Sequence, residues 1–170
     1  MKKNQKGFTL VELIVVLVIL AILAAILVPA LLGYIDRAKG SQLLLNGKSV
    51  LTAAQAEASN CYGIANSTQT IDDFFGATNS KYIQSIKETA DTPVGSGAIF
   101  TMKADKAVAS KGNHDAWTVY EVVYHEGDKY IFFDGTSWEE NLTKDEATGK
   151  LTKTTRYSFE NAAPASPSAP

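Results

Sequence analysis

The chain has 170 residues, and its 16 lysines and arginines against 18 aspartates and glutamates give a formal net charge of −2. This balance argues against a protein whose main task is to neutralise phosphates, so we expect no direct nucleic-acid binding. The single cysteine, Cys61, excludes an intrachain disulfide. By its length the chain forms one domain with at most an appendage, and that domain depends on its hydrophobic core for stability.

The first 35 residues have the composition of a membrane anchor. The leader MKKNQKG contains three lysines and no acid, and Leu13–Val28 contains no polar side chain. The wider segment 8–35 carries one charge, Glu12, and exceeds the roughly 20 residues that span a bilayer. Lysines before such a helix predict a cytoplasmic N-terminus and an exported remainder. The run is too long for an ordinary secretory signal, and cleavage of such a signal near Ala30 or Gly33 is the alternative.

Glu12 is the unusual residue of this segment. A carboxylate at the edge of an apolar helix costs a few kcal/mol in lipid and is usually retained for a partner, although it can also reach the membrane interface. The residues around it, KGFTLVELI at positions 6–14, follow a short basic leader and precede the apolar run. In that context they resemble the signature of type IV pilins, and the resemblance extends over residues 1–38.

The resemblance implies a processing and assembly site at the N-terminus. A prepilin peptidase would cut between Gly7 and Phe8 on the cytoplasmic side, and Phe8 would then be N-methylated. Glu12 and Pro29 occupy positions at which the family has a glutamate and a proline. In the family, the glutamate of one subunit meets the N-terminal amine of a neighbour and fixes their axial register. Since Phe8 and Glu12 are four residues apart, the two groups could also pair within one helix.

The sequence divides into five segments. We expect a cleaved leader at 1–7, a transmembrane and polymerisation helix at 8–35, an amphipathic half of the same helix at 36–59, a head at 60–160 and an extended tail at 161–170. The tail follows from its prolines, alanines and serines.

Two places in the long helix are predicted weak points. Pro29 lacks an amide hydrogen and, with Gly33, predicts a kink or local opening, in a stretch that the family melts in the fibre. Asn46-Gly47 is a dipeptide that more often marks a turn or a helix end. The amphipathic half is expected to cover the head, and helical spacing places four residues along one side of it: Ile35, Ala38, Gln42 and Leu45.

The rest of the chain predicts an α+β head. Thr70-x-x-Asp73 has the pattern of a capping box, and Ser80–Thr89 is predicted to be helical. Residues 125–128 are predicted to form a hairpin turn, and residues 134–137 a tight turn. Runs rich in β-branched and aromatic residues predict four antiparallel strands: Ala98–Lys103, Ala116–Tyr124, Lys129–Asp134 and Thr152–Phe159. A long N-terminal helix packed on an antiparallel sheet is the pilin architecture that the resemblance implies.

No combination of residues predicts catalysis, a metal site or a cofactor. His114-Asp115 and His125-Glu126 lack the spacing that would fix a metal-ligand geometry. We therefore expect no enzymatic activity and no small-molecule substrate. The two tryptophans are expected to belong to the core, and Cys61 is expected to be either buried or an incidental thiol.

The resemblance also implies a role. The disulfide-closed C-terminal loop of many Gram-negative type IV pilins is absent, which favours the major pilin of Gram-positive, clostridium-like bacteria. Such a subunit is stored in the cell membrane with its N-terminus in the cytoplasm and polymerises into an extracellular pilus for adhesion, biofilm formation or twitching motility. Its partners would be the prepilin peptidase, other copies of itself, and an assembly ATPase with its platform protein. The alternatives are a pseudopilin or minor pilin of a type II secretion or DNA-uptake system and, less favoured, a membrane-tethered adhesin that does not polymerise.

Overall fold

The computed structural model describes residues 7–76, 80–104 and 113–159, in two compact units that divide between Lys39 and Gly40. A long apolar helix followed by an antiparallel sheet confirms the predicted α+β fold. The predicted tail, and the leader before Gly7, lie outside the described residues. The helices are α1 (Leu10–Ile64), α2 (Ile71–Phe75), α3 (Ser80–Ala90) and α4 (Lys144–Gly149), with a 3₁₀ turn at His114–Trp117. The strands are β1 (Ser96–Met102), β2 (Val119–Glu126), β3 (Lys129–Phe133), β4 (Trp138–Leu142) and β5 (Tyr157–Ser158).

Helix α1 is 55 residues long and belongs to both units. Up to Lys39 none of its side chains is buried, and by length and composition this part can cross a membrane. Leucine is its commonest residue, and leucine and alanine have high intrinsic helix propensities. Pro29 lies inside the helix, which continues through it.

From Gly40 onward α1 packs on the head, but with a face that the sequence analysis placed wrongly. All four residues of the predicted stripe are exposed, and Leu45 keeps 58% of its surface accessible. The buried residues of this half are Leu43, Gly47, Val50, Ala53, Ala54, Ala58 and Cys61. Most of them are small, so the helix backbone approaches the sheet closely. Small size, which the apolar spacing did not weigh, decides which face packs.

Asn46-Gly47, predicted to be a weak point of the helix, does not interrupt it. A Cβ added at Gly47 would lie 2.5 Å from Ile131 Cδ1 and 3.1 Å from the Trp138 ring, so glycine is what lets the helix lie on the sheet. The Asn46 side-chain amide donates to Glu126 Oε1 at 2.7 Å, and the Tyr124 hydroxyl donates to the same oxygen at 2.7 Å. The dipeptide therefore joins α1 to β2 and β3.

The sheet has the strand order β4-β3-β2-β1-β5, and every pairing in it is antiparallel. β2 and β3 form the predicted hairpin, with Gly127 and Asp128 between the paired residues Glu126 and Lys129. Gly127 has a φ of 57°, a left-handed conformation that glycine adopts without strain. The hairpin prediction is confirmed.

The strand predictions fail at the sheet edges. Strand β4 was not predicted, because its residues are mostly polar and exposed and show no alternation. The predicted strand at Thr152–Phe159 shrinks to the two residues of β5. Residues 114–117 form a 3₁₀ turn, so β2 begins at Val119 and not at Ala116. Helix α4 was also missed, although Thr143 and Glu146 form a capping box at its start.

Asp134 organises the turn between β3 and β4, as predicted. Its Oδ1 accepts hydrogen bonds from the backbone N–H groups of Thr136 and Ser137, both at 2.7 Å. Gly135 has a φ of 93°. The bonds from the backbone of Ser137 and Thr136 stabilise the ionised carboxylate and lower the pKa of Asp134. The Ser137 hydroxyl donates to Oδ2 at 3.1 Å, so both oxygens of the carboxylate stabilise the turn.

The core of the head is largely aromatic. Trp117 is fully buried and meets Tyr62 and Phe74 edge-on, with ring centroids 5.9 and 5.6 Å apart. Trp138 is half-buried against Phe133, so the expectation of core tryptophans holds fully for one and partly for the other. Cys61 is buried as predicted, and burial raises the pKa of its thiol to about 12. Such a thiol is unreactive at neutral pH.

Glu121 is a charged side chain in the interior, on β2, with 2% of its surface accessible. Its carboxylate accepts hydrogen bonds from the Thr101 hydroxyl at 3.0 Å and from the Thr152 hydroxyl and N–H at 2.5 and 3.0 Å. Burial raises the pKa of this group, but the bonds from Thr152 and Thr101 outweigh burial and lower it. Glu121 thus holds the segment after α4 on the sheet.

Candidate processing and assembly site

Thr9 and Glu12 form a capping box at the start of α1. The Thr9 N–H donates to Glu12 Oε2 at 2.9 Å, and the Thr9 hydroxyl donates to the same oxygen at 2.7 Å. The Glu12 N–H donates back to Thr9 Oγ1 at 3.3 Å. These bonds satisfy donors that the first turn of a helix leaves without an intrahelical partner. Among the described residues, Glu12 Oε1 accepts no hydrogen bond, so one carboxylate oxygen stays open.

Thr9 is the residue of this capping box whose part the sequence analysis missed. The pattern Thr-x-x-Glu directly before an apolar run is the same signal that predicts the cap of α2 at Thr70 and Asp73, where the structure confirms it. The signal was therefore present in the sequence.

Gly7 and Phe8 precede α1 and are exposed, with 85% of Phe8 accessible. A Cβ added at Gly7 would have no other heavy atom within 4 Å. The fold itself therefore sets no limit on side-chain size at position 7, and any requirement for glycine there must come from a protein that binds this segment. In the uncut chain the Phe8 nitrogen is an amide, so the amine that could pair with Glu12 arises only on cleavage.

The apolar part of α1 exposes large apolar side chains on every face of the helix. From Leu10 to Leu32 its large apolar residues each keep half or more of their surface accessible. A helix that is hydrophobic all round is stable only when something apolar surrounds it, either lipid or other helices. Pro29 and Gly33 lie in this helix without a break, and the opening expected there in a fibre stays a prediction.

The histidines singled out in the sequence take part in ring packing. His125 stacks on Tyr130 with ring centroids 4.6 Å apart, and His114 meets Tyr62 edge-on at 5.1 Å. His125 also lies over Gly97, the residue paired with it on β1, where a Cβ would not fit. Within residues 7–76, 80–104 and 113–159, no three His, Cys, Asp or Glu side chains are grouped to hold a metal ion.

The comparison with known families identifies the N-terminal segment. Residues 2–28 match the family described as the prokaryotic N-terminal methylation motif. No solved structure matches the chain at a significant level. The motif is the recognition site of prepilin peptidase and implies pilus assembly machinery, and the apolar helix fits a membrane-anchored precursor. The methylation motif indicates a type IV pilin-like protein or a pseudopilin, a class whose members typically have a structural role.

Proposed function

We propose that this chain is the structural subunit of a type IV pilus, most like a major pilin of Gram-positive, clostridium-like bacteria. The observation that carries the proposal is the methylation motif joined to a helix whose apolar faces are all uncovered. A lone anchor needs such a helix too, but it has no use for the motif. Cleavage after Gly7 keeps the helix on the mature protein and creates a free amine at Phe8.

Polymerisation is the function that uses this helix. After processing, residues 8–35 leave the lipid for a fibre core made of the same segment from other copies. Apolar burial is then exchanged rather than gained, because lipid tails are as apolar as the neighbouring helices. Assembly therefore needs external work, supplied by an assembly ATPase through a platform protein. A head-to-tail contact that does not close on itself produces a filament of open length.

Glu12 sets the register in this proposal. The open Oε1 of one subunit would meet the Phe8 amine of another, while Oε2 keeps its bonds to Thr9. An α-amino group has an unperturbed pKa of about 7.7 to 8.0 and is largely cationic at neutral pH. Pairs of this kind penalise wrong registers, because an unpaired charge in an apolar core costs more than a paired one contributes.

The first test is to shear the cells, collect the extracellular filaments and determine the N-terminus of this polypeptide by mass spectrometry. The expected result is a methylated Phe8 in the main component of the filaments. A methylated Phe8 found only in membranes would instead assign the chain to the pseudopilins or minor pilins. An intact Met1, or a terminus created by a cut after Ala30, would overturn the proposal.

A further inference from the structure

A groove lies on one face of α1 near the outer end of the apolar segment. It has a volume of about 310 Å³ and is lined by Pro29, Ala30, Gly33, Tyr34 and Arg37. Three of these residues are small or lack a protruding side chain, and a Cβ at Gly33 would meet no heavy atom within 4 Å. The groove thus runs from an apolar floor to a phenol and a guanidinium group.

The groove lies at the depth where a bilayer changes from hydrocarbon to headgroups. The apolar residues that follow Glu12 begin at Leu13 and, at about 1.5 Å per helical residue, a hydrocarbon core of about 30 Å ends near Leu32. Because the helix has no break at Pro29, this count holds along its whole length. Tyr34 then lies in the interface that tyrosines favour, and Arg37 lies among the phosphates.

Arg37 carries a positive charge, which the phosphates at the headgroup level of the bilayer attract. It is exposed, and among the described residues it makes no hydrogen bond or ion pair. Asp36 is its neighbour in sequence, but adjacent helical residues do not face each other, and Asp36 has an interaction of its own. A guanidinium group binds a phosphate through two parallel N–H donors.

From the groove, its depth and its unpaired cation, we propose that residues 29–37 form a binding site for an anionic phospholipid of the outer leaflet. The phosphate binds Arg37 beside the Tyr34 hydroxyl, and an acyl chain lies along Pro29, Ala30 and Gly33. The site would hold the precursor at a fixed depth until assembly. It rests on the membrane-anchored storage of the proposed function but not on polymerisation.

The test uses the full chain in nanodiscs that contain equal amounts of phosphatidylglycerol and phosphatidylcholine. Native mass spectrometry after gentle release identifies the lipids that stay bound. The expected result is a preference for phosphatidylglycerol, which Arg37→Gln reduces about fivefold, the effect of one basic residue at a lipid surface. The matched control is Lys48→Gln, which removes the same charge from an exposed position of α1 beyond the groove and should leave the preference unchanged.

A second variant separates the headgroup contact from the groove. Gly33→Leu fills the groove without a clash inside the chain, so it should reduce retention of both lipids while the helix still enters the bilayer. Equal effects of Arg37→Gln and Lys48→Gln, or no preference in the wild type, would overturn the proposal. So would release of the lipid by excess inorganic phosphate, or a dimer that Gly33→Leu dissociates, because the occupant would then be a free anion or a second copy.

Failure of the site and failure of the proposed function give different results. A chain that enters nanodiscs but shows no lipid preference removes only the lipid site. A chain that does not enter them at all removes the membrane-stored precursor, and the proposed function with it.

Discussion

The two halves of helix α1 have the same backbone conformation but different sources of stability. Up to Lys39 the helix buries no side chain in its own chain, and the bonds between Thr9 and Glu12 cap its start. From Gly40 onward the helix lies on the sheet through small residues and is fastened by Asn46. The second half is completed by the head, and we propose that the first half is completed by lipid or by other copies of the chain. Changes in the first half should therefore alter processing and assembly, and changes in the second should alter folding.

The largest expected effect is at Gly7. Gly7→Trp should abolish leader cleavage, because a bulky side chain would not fit the peptidase, while the fold has room for it. Cleavage is measured by the mass of the protein isolated from membranes. Unchanged tryptophan fluorescence from the head, after correction for the added residue, is the control for folding. A mature species of normal mass would count against the proposed cut site.

The next largest effect is expected at Glu12, where two variants separate its role in the helix cap from the role of its charge in the register. Glu12→Ala should leave processing possible and lower fibre yield about tenfold or more, since it removes the charge that fixes the register. Glu12→Gln keeps an oxygen for the bonds from Thr9 but carries no charge, so it should fail to the same extent.

Thr9→Val is the converse control for Glu12. It removes the hydroxyl part of the cap, an effect of about 1 kcal/mol on the helix end, and keeps the charge, so fibres should still form. Fibre yield is measured by shearing and quantifying the filaments. Normal yield from Glu12→Gln would show that the cap, not the charge, is what matters at this position.

A smaller effect is expected at Gly47, where a substitution should alter the stability of the head. Gly47→Leu should lower the free energy of unfolding by about 1–3 kcal/mol, because the side chain must displace Ile131 and Trp138. The control is Gly63→Leu, since Gly63 lies in the same helix with nothing within 4 Å of an added Cβ. Both tryptophans lie in the head, so fluorescence-detected denaturation of the full chain in detergent reports this half alone. Equal stability of the two variants would contradict the close packing described for Gly47.

The effect expected at Glu121 is similar or smaller and depends on pH. Glu121→Gln should cost about 1–3 kcal/mol at neutral pH, because an amide cannot accept all the bonds that the buried carboxylate accepts. The folded state lowers the pKa of this group. Its contribution is therefore complete above the unfolded value of about 4.3 and is lost as the pH falls through the folded value.

The measurement is denaturation of wild type and Glu121→Gln between neutral and acidic pH. The difference between them should shrink in acid. Glu140→Gln, at an exposed position on β4, should show no comparable difference. A constant difference at every pH would mean that ionisation of Glu121 does not contribute.

The parts of the fold that the sequence predicts are those with a strong local pattern. The run Leu13–Val28 has no alternative to an apolar helix, and Gly127-Asp128 has few alternatives to a hairpin turn. The packing face of α1 was predicted wrongly because tertiary contact, not apolar spacing, selects small residues such as Gly47. Strand β4 was missed because a polar edge strand is defined by its neighbour β3 and has no pattern of its own.

The site shows the same division between local and tertiary information. Gly7, Phe8 and Glu12 were identified from a short string with a resemblance to known proteins, and their roles in cleavage and register stay predictions. Thr9 was readable from a local rule. The groove between Pro29 and Arg37 could not be predicted, because it exists only where the helix continues through Pro29 and aligns side chains four residues apart, and the sequence predicted a kink or opening there.

The two oxygens of Glu12 have a consequence for the order of events. Both bonds from Thr9 reach Oε2, so the acid holds its helix end before the leader is removed and need not release it afterwards. In the proposed processing step, cleavage adds the cationic Phe8 amine, and the Glu12 carboxylate does not have to give up its bonds from Thr9. In the proposed function, the precursor can therefore be stored in the membrane with its helix cap already formed, and cleavage of one peptide bond, rather than a change of shape, makes it competent to assemble.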